Sequence, residues 1–212
     1  MSIKRTKFNV SLLGETAVGK TSMIQVKSGM PFNEDQLATV GIDNLMEKAK
    51  FDGTEYKFKI FDTAGQERYN SISGSTIKVA DGFVLVFSVN LKSSLDKITL
   101  WIKSIEETVN IKEKALILVG NKKDIQDREV STEEGENFAE KYNMKYFETS
   151  AKTGEGIQEA FNQIYRDIYD LNVKLEALKN SNSSEPNPSN SGNIELKKKD
   201  HNKKDKGKNS KC

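Results

Sequence analysis

Residues 7–21 read KFNVSLLGETAVGKT: a short apolar run from Lys7 to Leu13, then GETAVGKT from Gly14 to Thr21, where a helix-period segment begins. The pattern G-x-x-x-x-G-K-[ST] places glycine where a backbone must bend tightly around a phosphate. It supplies a lysine, Lys20, to reach the outer phosphates and a hydroxyl, Thr21, to ligate Mg²⁺. Backbone N–H groups of Gly14, Thr16, Ala17, Val18 and Gly19, with the first helical turn through Ser22, add an anion cradle at the positive end of the helix. The bland alternative is a turn that happens to contain glycine. The strand–loop–helix context argues against it. Alone, the loop implies a nucleoside triphosphate without saying which one.

Working outward, short apolar runs alternate with helix-period segments. Strands are expected over Lys7–Leu13, Asp43–Asp52, Thr54–Thr63, Gly82–Asn90, Ala115–Asn121 and Lys145–Thr149, and helices near Thr21–Ser28, Ser93–Val109, Ser131–Tyr142 and Glu155–Ala177. Asp52-Gly53 is a two-residue hairpin turn, so the second and third strands should run antiparallel. GFVLVFSV from Gly82 and ALILVG from Ala115 are almost wholly apolar, as parallel strands covered on both faces must be. Ser131-Thr132-Glu133-Glu134 has the form of a capping box that fixes a helix start. The fold class is therefore α/β: a doubly wound, six-stranded, mostly parallel sheet with helices on both faces. Such sheets bind ligands at the carboxyl ends of their strands.

Composition narrows the classes further. The chain has 212 residues, 33 Lys plus Arg, 31 Asp plus Glu, one Cys and one His, so neither an internal disulfide nor a Cys/His zinc site is open to it. No apolar run approaches the ~18 residues needed to cross a bilayer, nothing near the N-terminus forms a secretory core, and Ser2 excludes N-myristoylation. The net charge of +2 hides an asymmetry: residues 181–212 hold eight Lys and four acids, leaving residues 1–180 slightly acidic. That last stretch is rich in Asn, Ser and Lys and has almost nothing to bury, so a folded domain over 1–180 and a disordered tail over 181–212 are expected. The tail lacks aromatics and Arg, which makes nucleic acid a poor partner.

Four further stretches carry chemistry. DTAGQERY, Asp62 to Tyr69, follows the third strand; Asp62 can hold Mg²⁺ through a water, Gly65 can offer its N–H to a terminal phosphate, and Gln66 can orient an attacking water. Thr39, in LATVGID, can close the magnesium shell only when a third phosphate is present, an order–disorder switch. Each is unremarkable alone, a cap or a solvated threonine. NKKD, Asn121 to Asp124, ends the fifth strand and ETSAK, Glu148 to Lys152, the sixth. The Asp124 carboxylate can accept both the N1–H and the 2-amino group of guanine, whereas adenine would leave that buried charge unpaired. Asn121 ties the ends of the site together, and the stems of Lys122 and Lys152 can cover the ring faces. The Ala151 N–H, in the loop with Ser150, can meet the guanine carbonyl. An adenosine nucleotide kinase would explain GETAVGKT but neither NKKD nor ETSAK.

With these five motifs in order, residues 7–177 resemble the Ras superfamily of small GTPases. The resemblance implies a switch between GTP and GDP that hydrolyses GTP slowly and binds effectors in the GTP state, with Mg²⁺ as cofactor. These roles are matched to the superfamily's own phosphoryl-transfer pattern rather than independently derived. It implies that Thr21 and Thr39 ligate Mg²⁺, that Gln66 positions water, and that Phe32 packs edgewise against guanine. Exchange factors, activating proteins, effectors and a dissociation inhibitor or escort protein are the implied partners of a monomer. QERY, Trp101 and DREVSTEEGENFA resemble Rab proteins, the vesicle-traffic branch, which implies the cytoplasmic face of an intracellular membrane. Asn44, Phe61 and Thr76-Ile77 depart from the usual Rab aromatics, and GFVLVFSV is closer to Ras-type signalling members. An interaction module that never cycles is the other reading. None of the four arginines falls in the loop Met30–Ile42, so the transition-state arginine should come from another protein. Cys212 behind its lysines does not fit C-a-a-X; one prenyl chain plus a polybasic patch would anchor the chain, and an unmodified thiol is the alternative.

Overall fold

Phe8, Val10 and Leu12 alternate with Lys7, Asn9 and Ser11 along the first strand, and the even set is sealed in the core. A computed structural model describes residues 5–34, 44–62 and 74–182. It contains strands β1 (Lys7–Leu13), β2 (Asn44–Phe51), β3 (Thr54–Asp62), β4 (Gly82–Ser88), β5 (Ala115–Asn121) and β6 (Lys145–Glu148). They form one sheet in the order β2-β3-β1-β4-β5-β6. Only the β2–β3 pair is antiparallel. Asp52 and Gly53 both have positive φ, 49° and 75°, the conformation that a tight hairpin needs.

Helices α1 (Lys20–Lys27) and α6 (Ile157–Asn182) cover one face. Met23 and Ile24 of α1 join Ala160, Phe161, Ile164, Tyr165 and Ile168 of α6 over Phe58, Ile60, Val84 and Ile117. Phe58 and Tyr165 stack with ring centroids 4.3 Å apart. Helices α2 (Gly74–Val79), α3 (Lys92–Asp96), α4 (Ile98–Thr108) and α5 (Thr132–Lys141) bring Ile77, Leu95, Ile102, Ile105 and Ala139 to the other face. Each large apolar side chain so buried stabilises the fold by roughly 1.5–3 kcal/mol. Ser131 caps α5 in the expected reciprocal box with Glu134. No described helix is long and apolar enough to cross a membrane.

The observed elements correct the sequence reading at several places. The helix expected over Ser93–Val109 is two, α3 and α4, hinged at Lys97, where the Thr99 hydroxyl donates to the Asp96 carbonyl at 2.7 Å and competes with the helical ladder. The short α2 was not expected. β4 ends at Ser88 rather than Asn90, and β6 at Glu148 rather than Thr149, because both chains turn away into the ligand-end loops. α6 continues past Ala177 to Asn182, no proline being met before Pro186. Residues 181 and 182, expected in the tail, belong to α6, while Asp43, Thr63 and residues 183–212 lie outside the described residues.

Candidate functional site

The helix after β1 lies on the opposite face from those after its two neighbours, β3 and β4. The carboxyl end of β1 is therefore a switch point of the winding, where this class of sheet places its ligands. GETAVGKT occupies it. Gly14 has φ +155°, and a Cβ there would stand 2.0 Å from the Val86 carbonyl oxygen, so only glycine lets the loop lie on β4. Gly19 is the N-cap of α1 in the left-handed region, φ 100°, and no side chain caps the helix. The positive end of α1 therefore faces the loop without a capping side chain, an arrangement that suits an anion. Ala17, at φ 61°, bends the loop where no glycine stands, at a cost of order 1 kcal/mol.

Lys20 is only 4% exposed, and its Nζ donates to the carbonyls of Gly14 and Glu15, each at 2.8 Å. A buried ammonium at the centre of a loop of N–H groups makes the cradle strongly electropositive. The β1–β3 register sets Leu12 beside Asp62, and the buried Asp62 carboxylate accepts a hydrogen bond from Thr21 Oγ1. A hydroxyl and a carboxylate thus meet beside the cradle, a donor set of hard oxygens that suits Mg²⁺. Val18 is buried in the loop, while Thr16 and Ser22 stand nearer its surface.

At the other end, Asn121 closes β5 at 1% exposure. Its Nδ2 donates to the Val18 carbonyl at 2.8 Å, and its Oδ1 accepts from Thr149 Oγ1 at 3.0 Å and from the Ala151 N–H at 3.2 Å. One amide therefore joins the phosphate loop, the end of β5 and the loop after β6. Ser150 Oγ donates to Asp124 at 2.6 Å and accepts from the Thr153 N–H at 3.0 Å, which aims the carboxylate. Lys122 sits at φ 66°, and burial lowers its pKa against the opposing pull of Asp124. Lys152 pairs with Glu34 at 2.6 Å across the rim, and that hydrogen bond raises its pKa. Phe32 packs, partly buried, against the core on the α1–α6 side.

Of the residues singled out in the sequence, those of GETAVGKT, NKKD and ETSAK, with Asp62, belong to this one end of the sheet. Thr39, Gly65, Gln66 and Cys212 lie outside the described residues. Sequence reasoning gave Thr149 no role, although it stands inside ETSAK and holds Asn121 from below. It also overlooked the clamp behind the base loops. Arg128 binds Glu148 with both terminal nitrogens, and Tyr146 donates to the same carboxylate at 3.0 Å. Burial raises the Glu148 pKa, and hydrogen bonds from Arg128, Tyr146 and Thr132 overcome it and hold the carboxyl low. Burial, and then Glu148 itself, push the Tyr146 hydroxyl well above the usual phenol range. The available signal was Gly120 and Gly135, where a Cβ would fall 2.5 Å from the Tyr146 hydroxyl oxygen.

The chain matches the model of the Ras family over residues 9–170. It is 39% identical over 178 residues to the human Ras-related protein Rab-8B, covering 84% of each chain. It is 38% identical over 186 residues to bovine Rab-8A, 87% of each. With Rab-18 of Lymnaea stagnalis it shares 36% over 163 residues, 77% of this chain and 81% of the relative. Fold, site and similarity agree: the chain belongs to the Ras family and is a Rab-like small GTPase.

Proposed function

We propose that the site binds GTP and GDP with guanine selected by Asp124, and that hydrolysis switches the chain between an effector-binding and a released state during membrane traffic. The observation that carries this reading is the buried Asn121 amide, which makes the phosphate loop and the base loops one pocket. Lys20 and the N–H groups of the phosphate loop and first turn take the phosphates. Asp124, aimed by Ser150, takes the two guanine donors; Phe32 and the stems of Lys122 and Lys152 flank the ring.

The oxygens of Thr21 and Asp62 suit Mg²⁺, with Thr39 completing the set; the bound cation would draw negative charge from the phosphates. Gln66 orients the water, and Gly65 meets the terminal phosphate. Arg5 is held by Asp81, Arg128 by Glu148 and Arg166 by Asp170, so among the described arginines none is available to the phosphates. The charge that speeds turnover comes from an activating protein, and intrinsic hydrolysis is slow. An exchange factor, effectors and a dissociation inhibitor or escort protein complete the cycle. A domain over 1–180 and a membrane-directed tail over 181–212, lipidated at Cys212, place a monomer on the cytoplasmic face of an intracellular membrane.

Purified protein should retain a guanine nucleotide and release phosphate slowly in single turnover. Retained adenine nucleotide, or an unloaded protein with no affinity for GDP, refutes the reading. For the tail, a C-terminal peptide of unshifted mass from native cells sinks the anchor.

A further inference from the structure

Helix α1 ends in a fastened turn. Gly29 takes φ 85°, and the N–H groups of Gly29 and Met30 donate to the carbonyls of Val26 and Gln25, each at 3.0 Å. From Met30 to Glu34 the chain runs exposed except at Phe32, which is partly buried against the core. Glu34 then reaches the far side of the site. Lys152 Nζ, in the loop after β6, donates to its carboxylate at 2.6 Å across a separation of 118 residues. Both side chains are more than half exposed, 55% for Lys152 and 69% for Glu34. The hydrogen bond and charge of Glu34 raise the Lys152 pKa, and the Asp124 carboxylate adds to them, so the ammonium stands in the field of both acids.

An ion pair this exposed contributes little to folding. What distinguishes it is where it lies, between a loop on the α1 side and the loop that carries Ser150 and Ala151. We infer that Glu34 is a positioning residue for nucleotide retention: its ion pair with Lys152 clasps the loop after α1 to the loop after β6, and so holds together the two walls between which the guanine ring lies. This rests on the proposed nucleotide reading, in which Phe32 flanks the ring from the first loop and the Lys152 stem from the second. The ring leaves when those walls part, and the pair has to break for that. Glu34 makes no contact with the nucleotide; it acts through Lys152. Its effect is therefore on the rate of release, it follows the sign of the charge at position 34, and it fades as salt screens the pair.

The test uses the full chain loaded with tritiated GDP and chased with excess unlabelled GDP at constant Mg²⁺, read as the rate of label loss. Glu34→Gln removes the charge and keeps the length of the side chain. At about 0.01 M salt, where charges act over ~30 Å, its release should be ~2–5-fold faster, the range of one exposed pair. Glu34→Lys sets a like charge against Lys152 and should release faster still. At about 1 M salt, where that reach shrinks to ~3 Å, the three proteins should draw together. Glu55→Gln breaks the Lys48–Glu55 pair, also exposed on both sides, on the β2–β3 hairpin and should leave release unchanged. Equal release from Glu34→Gln and the unaltered chain at low salt overturns the inference. So does a faster release that persists undiminished at high salt, which makes Glu34 a structural residue rather than a charge. An equal quickening in Glu55→Gln overturns it too. Each of these results leaves the nucleotide reading standing, because GDP was bound at the start; a chain that takes up no GDP overturns both.

Discussion

Replacing Asn121 with alanine removes the one side chain that spans both halves of the pocket, and the structure sets the size of the effect. Three hydrogen bonds vanish: to the Val18 carbonyl at 2.8 Å, from Thr149 Oγ1 at 3.0 Å and from the Ala151 N–H at 3.2 Å. Val18 and Thr149 are fully buried and Ala151 is 4% exposed, so their orphaned groups do not simply turn to water. Each such loss costs about 1 kcal/mol or more, or about 3 kcal/mol together. For a domain of this size that is a fall in Tm of roughly 6–12 °C. Because the lost bonds also register the two loops, release of a fluorescent GDP analogue should quicken at least ~10-fold. Thr149→Val removes one of the three and should cost about a third as much. The assays are differential scanning calorimetry and stopped-flow nucleotide release. An Asn121→Ala protein that melts within about 2 °C of the original and releases GDP at the same rate would refute the reasoning.

Gly19→Ala sets a Cβ 2.2 Å from Asn121 Nδ2 at φ 100°, so GDP affinity should fall at least ~100-fold. In an Asn121→Ala background the clash is gone, and a loss just as large would show that crowding is not the cause. Asp124→Asn exchanges one acceptor for a donor and should shift preference from guanine to xanthine nucleotides; unchanged preference in competition binding removes Asp124 from base selection. Glu134 is held at about 2 by its hydrogen bond from Lys92 and then by Ser131. Its contribution is full above the ordinary glutamate value and is lost as pH falls through about 2, so Tm should fall less between about pH 5 and pH 2 in Glu134→Gln. Glutamine keeps the capping box, and parallel Tm profiles would show that Glu134 titration does not matter to the fold.

The parts legible in the sequence were those written in local chemistry. Asp52-Gly53 declared a hairpin because both residues tolerate positive φ, and Ser131 with Glu134 declared a helix start because each satisfies the other's N–H. GETAVGKT declared a phosphate loop because its glycines are needed by steric contacts, with the Val86 carbonyl and with Asn121, that any occupant of the fold must respect. The parts that were not legible depend on what other strands bring alongside. Thr149 is a buried hydrogen-bond partner only because the β5–β6 register continues from Gly120↔Glu148 into Asn121 and Thr149. Arg128 is an ordinary loop cation until Glu148 is known to face it. The hinge at Lys97 turns on where the Thr99 hydroxyl points, and α2 is six residues with too little periodicity to stand out.

One strand sets the length of the pocket while supplying none of its assigned ligand groups. β4 lies between β1, which carries the phosphate loop, and β5, which carries Asn121 and Asp124, and all seven of its residues are buried. Two strand spacings put the roots of the two motifs ~10 Å apart. That gap is set by backbone hydrogen bonds, so side-chain changes elsewhere do not readily alter it. The loop then has to cross the end of β4 to meet Asn121, and it can lie that low only because Gly14 has no Cβ to strike the Val86 carbonyl. With the loop down, the Val18 carbonyl comes within 2.8 Å of Asn121 Nδ2. Gly14, β4 and Asn121 therefore act as a single constraint: the sheet fixes the span, the glycine lets the chain cross it, and the amide locks the crossing. On the proposed function, discrimination at the base and grip on the phosphates are consequently properties of the same packed unit.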